Sequence, residues 1–257
     1  MSYLKNINFY FDDRITNKEK IKLIKDKGFD GIFLMCDEDF DENVILAKEN
    51  DLFIESAHLP YKNVCNTIWL DDEAGDLYTE STIDWIKRIS KAGIRIAIIH
   101  MAATITPPKM SEIGFERLNK IVRSCEENNV YLAMENVHDW DYVHIPFKKA
   151  NSSYVKMCLD FGHANGFTKD INKLNYKEIA KDIICLHIHD NFGERDQHLI
   201  PFDGNIDFNF ILKELKSNGF KGNLTLELEC EKLYSNTNDY ITKAKIALDK
   251  LGEIYDE

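Results

Sequence analysis

Short runs rich in β-branched and aromatic residues recur along this chain, and longer stretches of helical periodicity separate them. The runs are INFYF (7–11), GIFLM (31–35), FIESAH (53–58), IRIAIIH (94–100), VYLAMEN (130–136), VKMCLD (155–160), IICLHIH (183–189) and NLTLELE (223–229), eight in all. Between them NKEKIKLIKDKGF (17–29), STIDWIKRISKAGI (81–94), GFERLNKIVRSCEENNV (114–130) and FNFILKELKSNGF (208–220) carry apolar residues at helical spacing, several running into a Gly or Asn that stops a helix. The last stretch, NDYITKAKIALDKLGEI, supplies a closing helix. Strands joined through helices pair in parallel, because a parallel connection needs a crossover of that kind. Eight such units in 257 residues predict an α/β chain folded as a (β/α)8 TIM barrel, one domain over 1–257, since closing the sheet on itself leaves no edge exposed. A doubly wound open sheet has the same alternation but favours a Gly-rich phosphate loop after its first strand, and INFYFDDR contains none.

Composition narrows the function classes. A formal charge of −12 and a pI near 5.2 repel polyanions, so nucleic acid is an unfavoured partner. The opening MSYLKNINFYFDDR has no apolar core of signal-peptide length and no run is long enough to span a bilayer, so a cytoplasmic protein without a membrane partner is expected. The six cysteines are scattered with no CxxC pair, which reads as reduced and mostly buried thiols.

A barrel of this type places its chemistry at the carboxyl ends of its strands. Strand three ends at His58, strand four at His100, strand five at Glu135, and strand six at Asp160 with His163 after it. Strand seven carries His187 and leads into Asp196 and His198, and strand eight carries Glu227. Any one of these could cap or hydrogen-bond locally. As a set, converging on one mouth, they would cost several kcal/mol in repulsion and desolvation without a cation, so a divalent metal is expected. Mixed nitrogen and oxygen ligands suit zinc, manganese, cobalt or iron, and without clustered cysteines a thiolate site is not expected.

The motifs SAHLPY, IIHMA, MENV, LDFGHA, HIHDN, RDQHLIPFDGNIDF and LTLELE, in this order, resemble the xylose isomerase-like TIM-barrel superfamily over about residues 5–250. That superfamily holds sugar phosphate isomerases and epimerases and, as a cousin, endonuclease IV of DNA repair (AP endonuclease family 2). The resemblance implies two ligand sets. An epimerase-like site would bind one divalent ion, zinc or manganese foremost with cobalt, iron or magnesium as further options, through Glu135, Asp160, His187 and Glu227. A multinuclear site would add His58, His100, His163, Asp196 and His198. His189 remains an alternative to His187, and Glu229 to Glu227, because each pair shares a strand face.

With a single ion the implied chemistry is proton transfer next to the carbonyl of a small carbohydrate, through an enediolate, with Glu135 and Glu227 as acid and base. His163 would hydrogen-bond the oxygen on which charge develops, and Asp190 would orient His187 from behind. His58 and His100 could then be substrate contacts, Trp69 an apolar wall against a sugar face, and Arg195 the cation that the loop after strand seven offers. With two or three ions the same residues would support phosphoester hydrolysis. The chain departs from endonuclease IV in lacking a basic or Gly-rich insert, which speaks against DNA repair. A homo-oligomer is left open, as are the sugar and its phosphorylation. His138 and His144 are read as solvent-exposed loop residues.

Overall fold

The computed structural model describes residues 3–230, 234 and 236–257. Eight parallel strands stand side by side in the order β7-β6-β5-β4-β3-β2-β1-β8. They are β1 (Lys5–Asn8), β2 (Gly31–Met35), β3 (Phe53–His58), β4 (Ile96–Ile99), β5 (Tyr131–Glu135), β6 (Val155–Asp160), β7 (Ile183–His187) and β8 (Leu224–Leu226). A parallel bridge between Ile188 and Leu226 joins β7 to β8, so the sheet is a nearly closed (β/α)8 barrel. Most of its strands, such as GIFLM in β2, IAII in β4 and IICLH in β7, are near-continuous apolar runs, as a parallel sheet covered on its outer face and filled within requires.

The helices begin and end where local chemistry dictates. Asn17–Asp26 opens on a capping box in which Thr16 and Glu19 satisfy each other's backbone N–H. Asp72 and Ser111 accept from Gly75 and Gly114 at the starts of Glu73–Ala92 and Glu112–Asn128. Gly93 and Asn129 take the left-handed conformation that stops those two helices.

Several strands are shorter than their apolar runs suggest. β1 occupies 5–8 instead of 7–11, which turns Asn6 and Asn8 into the barrel and frees Tyr10 to stand above the strand. β7 ends at His187 instead of residue 189, because Asp190 leaves the ladder to pair antiparallel with Leu199. Opposite the β2 step from Ile32 to Phe33, β3 carries one extra residue, Glu55, which is buried and accepts hydrogen bonds from Thr225 and Asn223 of the β8 region.

Candidate metal centre

Side chains alternate along a strand, so residues two apart share a face. On the inner face Ile98 precedes His100, Ala133 precedes Glu135, Cys158 precedes Asp160, Cys185 precedes His187 and Thr225 precedes Glu227. Ile98, Ala133, Cys158 and Cys185 form their own apolar cluster inside the barrel, and on each of those strands the polar residue follows two positions further toward the mouth. The barrel therefore brings His58, His100, Glu135, Asp160, His163, His187 and Glu227 together as buried groups, with Asp196 and His198 half-buried on the loop after β7.

Three groupings share this volume. In the first, His58 Nε2, His100 Nε2 and Glu135 Oε2 are each 3.2 Å from the other two. His58 Nδ1 donates to the Leu59 carbonyl at 2.8 Å, which turns the bare Nε2 inward. Ligands about 2.0–2.1 Å from a tetrahedral ion stand about 3.3–3.4 Å apart, so this triangle has the spacing of three ligands of one ion. In the second, Glu135, Asp160, His187 and Glu227 each offer one atom within 4.8 Å of the others. His187 Nδ1 lies 3.2 Å from Glu135 Oε1 and 2.9 Å from Glu227 Oε2, and its ring stacks on Phe33. The third surrounds Asp196, with His198 Nε2 at 3.0 Å, His163 Nε2 at 3.4 Å and His189 Nε2 at 3.6 Å.

Neighbouring groups hold these side chains in place. Asn136 donates to the Asp160 carbonyl and accepts from the Asp160 N–H, while its own carbonyl accepts from His163 Nδ1 at 2.8 Å. It thus ties the end of β5 to the end of β6. The hydroxyl of Tyr10 donates to Glu227 Oε1.

The electrostatics show how the centre balances its charge through protons. Burial alone would raise the Glu135 and Glu227 carboxyls, yet the His187 imidazole opposes it, joined by His100 at Glu135 and by His198 at Glu227. Both carboxyls end well below the usual range. Burial would lower His163 and His187, and the surrounding carboxylates overcome it and raise both. His198 is likewise pulled down by burial but lifted to about 10 by Asp196, Glu227 and Asp160. His100 is lowered, because burial outweighs Glu135 there.

These residues also fit a metal on geometric grounds. Among the described residues, His100 Nδ1, His187 Nε2, His189 Nδ1, Asp196 Oδ1 and Glu227 Oε2 are buried without a hydrogen-bond partner. Glu227 Oε2 is 2.9 Å from His187 Nδ1 and still not aligned as its acceptor. Close approach without hydrogen-bond alignment is how ligand atoms directed at a common point are arranged.

Some expected placements need correction. Asp190 makes no hydrogen bond to His187; its carboxylate accepts the backbone N–H groups of Asn191, Phe202, Gly204 and Ile206 at 2.9–3.2 Å. It anchors the loop that carries Asp196 and His198, and a Cβ at Gly204 would overlap it. Trp69 is no wall of the mouth: it is 2% exposed, donates Nε1 to the Met101 carbonyl and packs on Phe115 and Tyr142. Arg195 is exposed on the loop beside Asp196. Glu229 is exposed and belongs to none of the groupings, leaving Glu227 as the glutamate of that run in the cluster. His189 is not a substitute for His187 but has a place of its own, with Nε2 at 3.1 and 3.2 Å from the two Asp160 oxygens and its ring stacked on His198. Gly162 makes room for that ring. His138 is half-buried against Phe167, which in turn stacks on His163, and His144 lies on the helix Asp141–Ala150. Neither Tyr10 nor Asn136 was expected at the site; the only signals are their positions just past β1 and immediately after Glu135.

A family model described as xylose isomerase-like TIM barrel matches residues 21–251 of the chain. An uncharacterized protein of Sinorhizobium fredii is 29% identical over 147 residues, 54% of this chain and 47% of that one, so the match spans about half of that relative. Among solved structures, a D-tagatose 3-epimerase-like protein superposes with a TM-score of 0.76 at 22% identity, covering 98% of both chains. D-psicose 3-epimerase from Clostridium cellulolyticum H10 gives a TM-score of 0.78 at 15% identity, covering 98% of this chain and 99% of the other. At these identities the structural likeness speaks for the fold.

Proposed function

The chain belongs to the xylose isomerase-like TIM-barrel family, and on that premise we propose that it is a metal-dependent isomerase or epimerase of a small carbohydrate. The observation that carries this reading is the meeting of two buried glutamates, Glu135 and Glu227, at one imidazole nitrogen with Asp160 alongside. A divalent ion held by Glu135, Asp160, His187 and Glu227 would supply Lewis-acid polarisation of the substrate carbonyl and so acidify the adjacent C–H bond.

The chain's own residues then move the proton. Glu227 has Oε1 engaged by Tyr10 and Oε2 without a hydrogen bond, so Oε2, the oxygen that would face the ion, is also the one that would take a proton from carbon. Glu135, from the other side of the mouth, returns one. His163, with Nδ1 committed to the Asn136 carbonyl, presents Nε2–H toward Asp196 and the mouth, where it can donate to a substrate oxygen gaining charge. His58 and His100 line the same volume. The epimerase names of the similar structures support a sugar as substrate.

A second reading, phosphoester hydrolysis at a multinuclear centre, is favoured by the His58–His100–Glu135 triangle and by the grouping around Asp196, which a one-metal epimerase does not need. A charge of −12 disfavours DNA as its substrate. Among the described residues no helix is long and apolar enough to cross a membrane.

The test combines metal analysis of the purified chain with proton exchange in deuterated water across a panel of ketoses, read by NMR after loading with manganese or zinc. One ion per chain with deuterium entering next to the ketose carbonyl is the expected result. Two or three ions with phosphatase turnover and no exchange would replace the first reading by the second. Failure to retain any ion would overturn both.

A further inference from the structure

The carboxylates and imidazoles at the mouth are not the only donors within reach of one another. Strand pairing sets Glu135 level with Cys158, and Cys158 level with Cys185. Residues paired across a parallel sheet point to the same face, so these three form one row across β5, β6 and β7 on the inside of the barrel. Cys158 Sγ, a Glu135 carboxylate oxygen and a His187 ring nitrogen lie within 4.8 Å of one another. His187 Nε2 is also buried with no hydrogen-bond partner among the described residues. Both cysteines are essentially inaccessible to solvent.

As packing, the thiols do what alanine or valine would do beside Ile98 and Ala133. What a thiol adds is a soft ligand once its proton is gone. We propose that Cys158, with His187 and Glu135, forms a soft cation seat just below the seat of Glu135, Asp160, His187 and Glu227, and that it takes zinc or a heavier thiophilic ion such as cadmium. The proposal rests on the metal reading of the mouth given above. Binding breaks the Cys158 S–H bond, forms a sulfur–metal bond and releases the proton to solvent. Cys185, beside Cys158 in the row, is a second thiol at the same level of the barrel. His187 and Glu135 belong to both seats, so the two exclude each other: manganese or magnesium takes the oxygen-rich upper position, and a soft ion settles lower.

The test titrates cadmium chloride into the full-length, metal-free chain carrying Cys230→Ser, which removes the one cysteine that is not buried. The ultraviolet charge-transfer band of a cadmium–thiolate bond is followed together with the cadmium retained after desalting. The band is expected to grow with the first equivalent and to vanish in both Cys158→Ser and Cys158→Ala. Cys158→Ser should lower cadmium affinity at least about tenfold and leave manganese affinity within about twofold. Cadmium retained with no band overturns the proposal and leaves the metal reading standing, as does a band that survives both substitutions. Retention of neither cadmium nor manganese overturns both. X-ray absorption at the zinc edge of the unmutated zinc-loaded chain needs no variant: a sulfur neighbour at about 2.3 Å is expected, and a shell of nitrogen and oxygen alone overturns the proposal.

Discussion

Glu135 and Glu227 leave different strands and approach one atom, His187 Nδ1, at 3.2 and 2.9 Å. The two carboxylates are not equivalent. Glu135 takes part in the His58–His100 triangle, in the four-residue set and in the grouping with Cys158, whereas Glu227 appears only in the four-residue set.

Substitution should separate them. Glu227→Gln is expected to slow solvent deuterium exchange into the substrate by about 10²–10⁴-fold while the chain keeps most of its bound ion. Glu135→Gln should lose ion and exchange together. Parallel metal analysis and NMR exchange rates check this, and exchange undiminished in Glu227→Gln would remove that residue from the acid–base pair.

Tyr10 offers a subtler handle. Its hydroxyl engages Glu227 Oε1, which leaves Oε2 as the oxygen facing His187. Tyr10→Phe keeps the ring and its edge contact with Phe33 but frees both oxygens. A fall of about 10–100-fold in exchange rate or metal affinity with unchanged thermal unfolding is expected.

The metal-free chain should respond to pH with a definite sign. Folding raises the His198 imidazole from 6.5 to about 10, because Asp196 and its neighbours outweigh burial. A group raised on folding stabilises the native state below its unfolded value, and that stabilisation is lost as pH climbs through the folded one. The urea midpoint of the metal-free chain, relative to a His198→Gln variant, should therefore shrink between about pH 6.5 and pH 10. Ion affinity should rise over the same range, since ligation requires the imidazoles without their extra protons. An affinity that falls with pH would contradict the proton-for-metal exchange.

Asp190 tests the loop independently of the chemistry. Four backbone donors end on its carboxylate. Asp190→Ala leaves all four without this acceptor, those of Asn191 and Ile206 in buried surroundings, and should cost about 2–4 kcal/mol in denaturant unfolding. Asp190→Asn, which keeps one acceptor oxygen, should cost less. Equal stability of all three proteins would mean that the loop does not depend on this anchor.

The barrel was legible because its cause is local: apolar runs bounded by Gly and Asn stops, repeated until a closed sheet is the economical arrangement. The mouth was legible for the same reason, since strand ends such as Asp160 and Glu135 reach it by alternation alone. Residues beyond a strand end were not. Asp190 and His189 lie next to each other in HIHDN, and only the antiparallel turn back to Leu199 decides that one holds a loop and the other meets Asp160. Trp69 looked like a mouth residue because the loop after β3 is long, but the segment folds back as Cys65–Trp69 and buries the indole under Glu112–Asn128. Tyr10 was hidden by a strand boundary misplaced by two or three residues, which made it one more aromatic in a run.

The join between β7 and β8 has a consequence for how the barrel opens. Among the described residues it is the one neighbouring pair held by a bridge instead of a ladder, with backbone hydrogen bonds from the Ile188 N–H to the Thr225 carbonyl and from the Glu227 N–H to the Ile188 carbonyl. His187 stands on one side of that join and Glu227 on the other. An ion bound to both would work as a clasp across the weakest stitch in the wall. Amide hydrogen exchange in 183–188 and 224–227 should then slow on loading with metal far more than in β2 and β3, so that filling the site and closing the barrel become a single event.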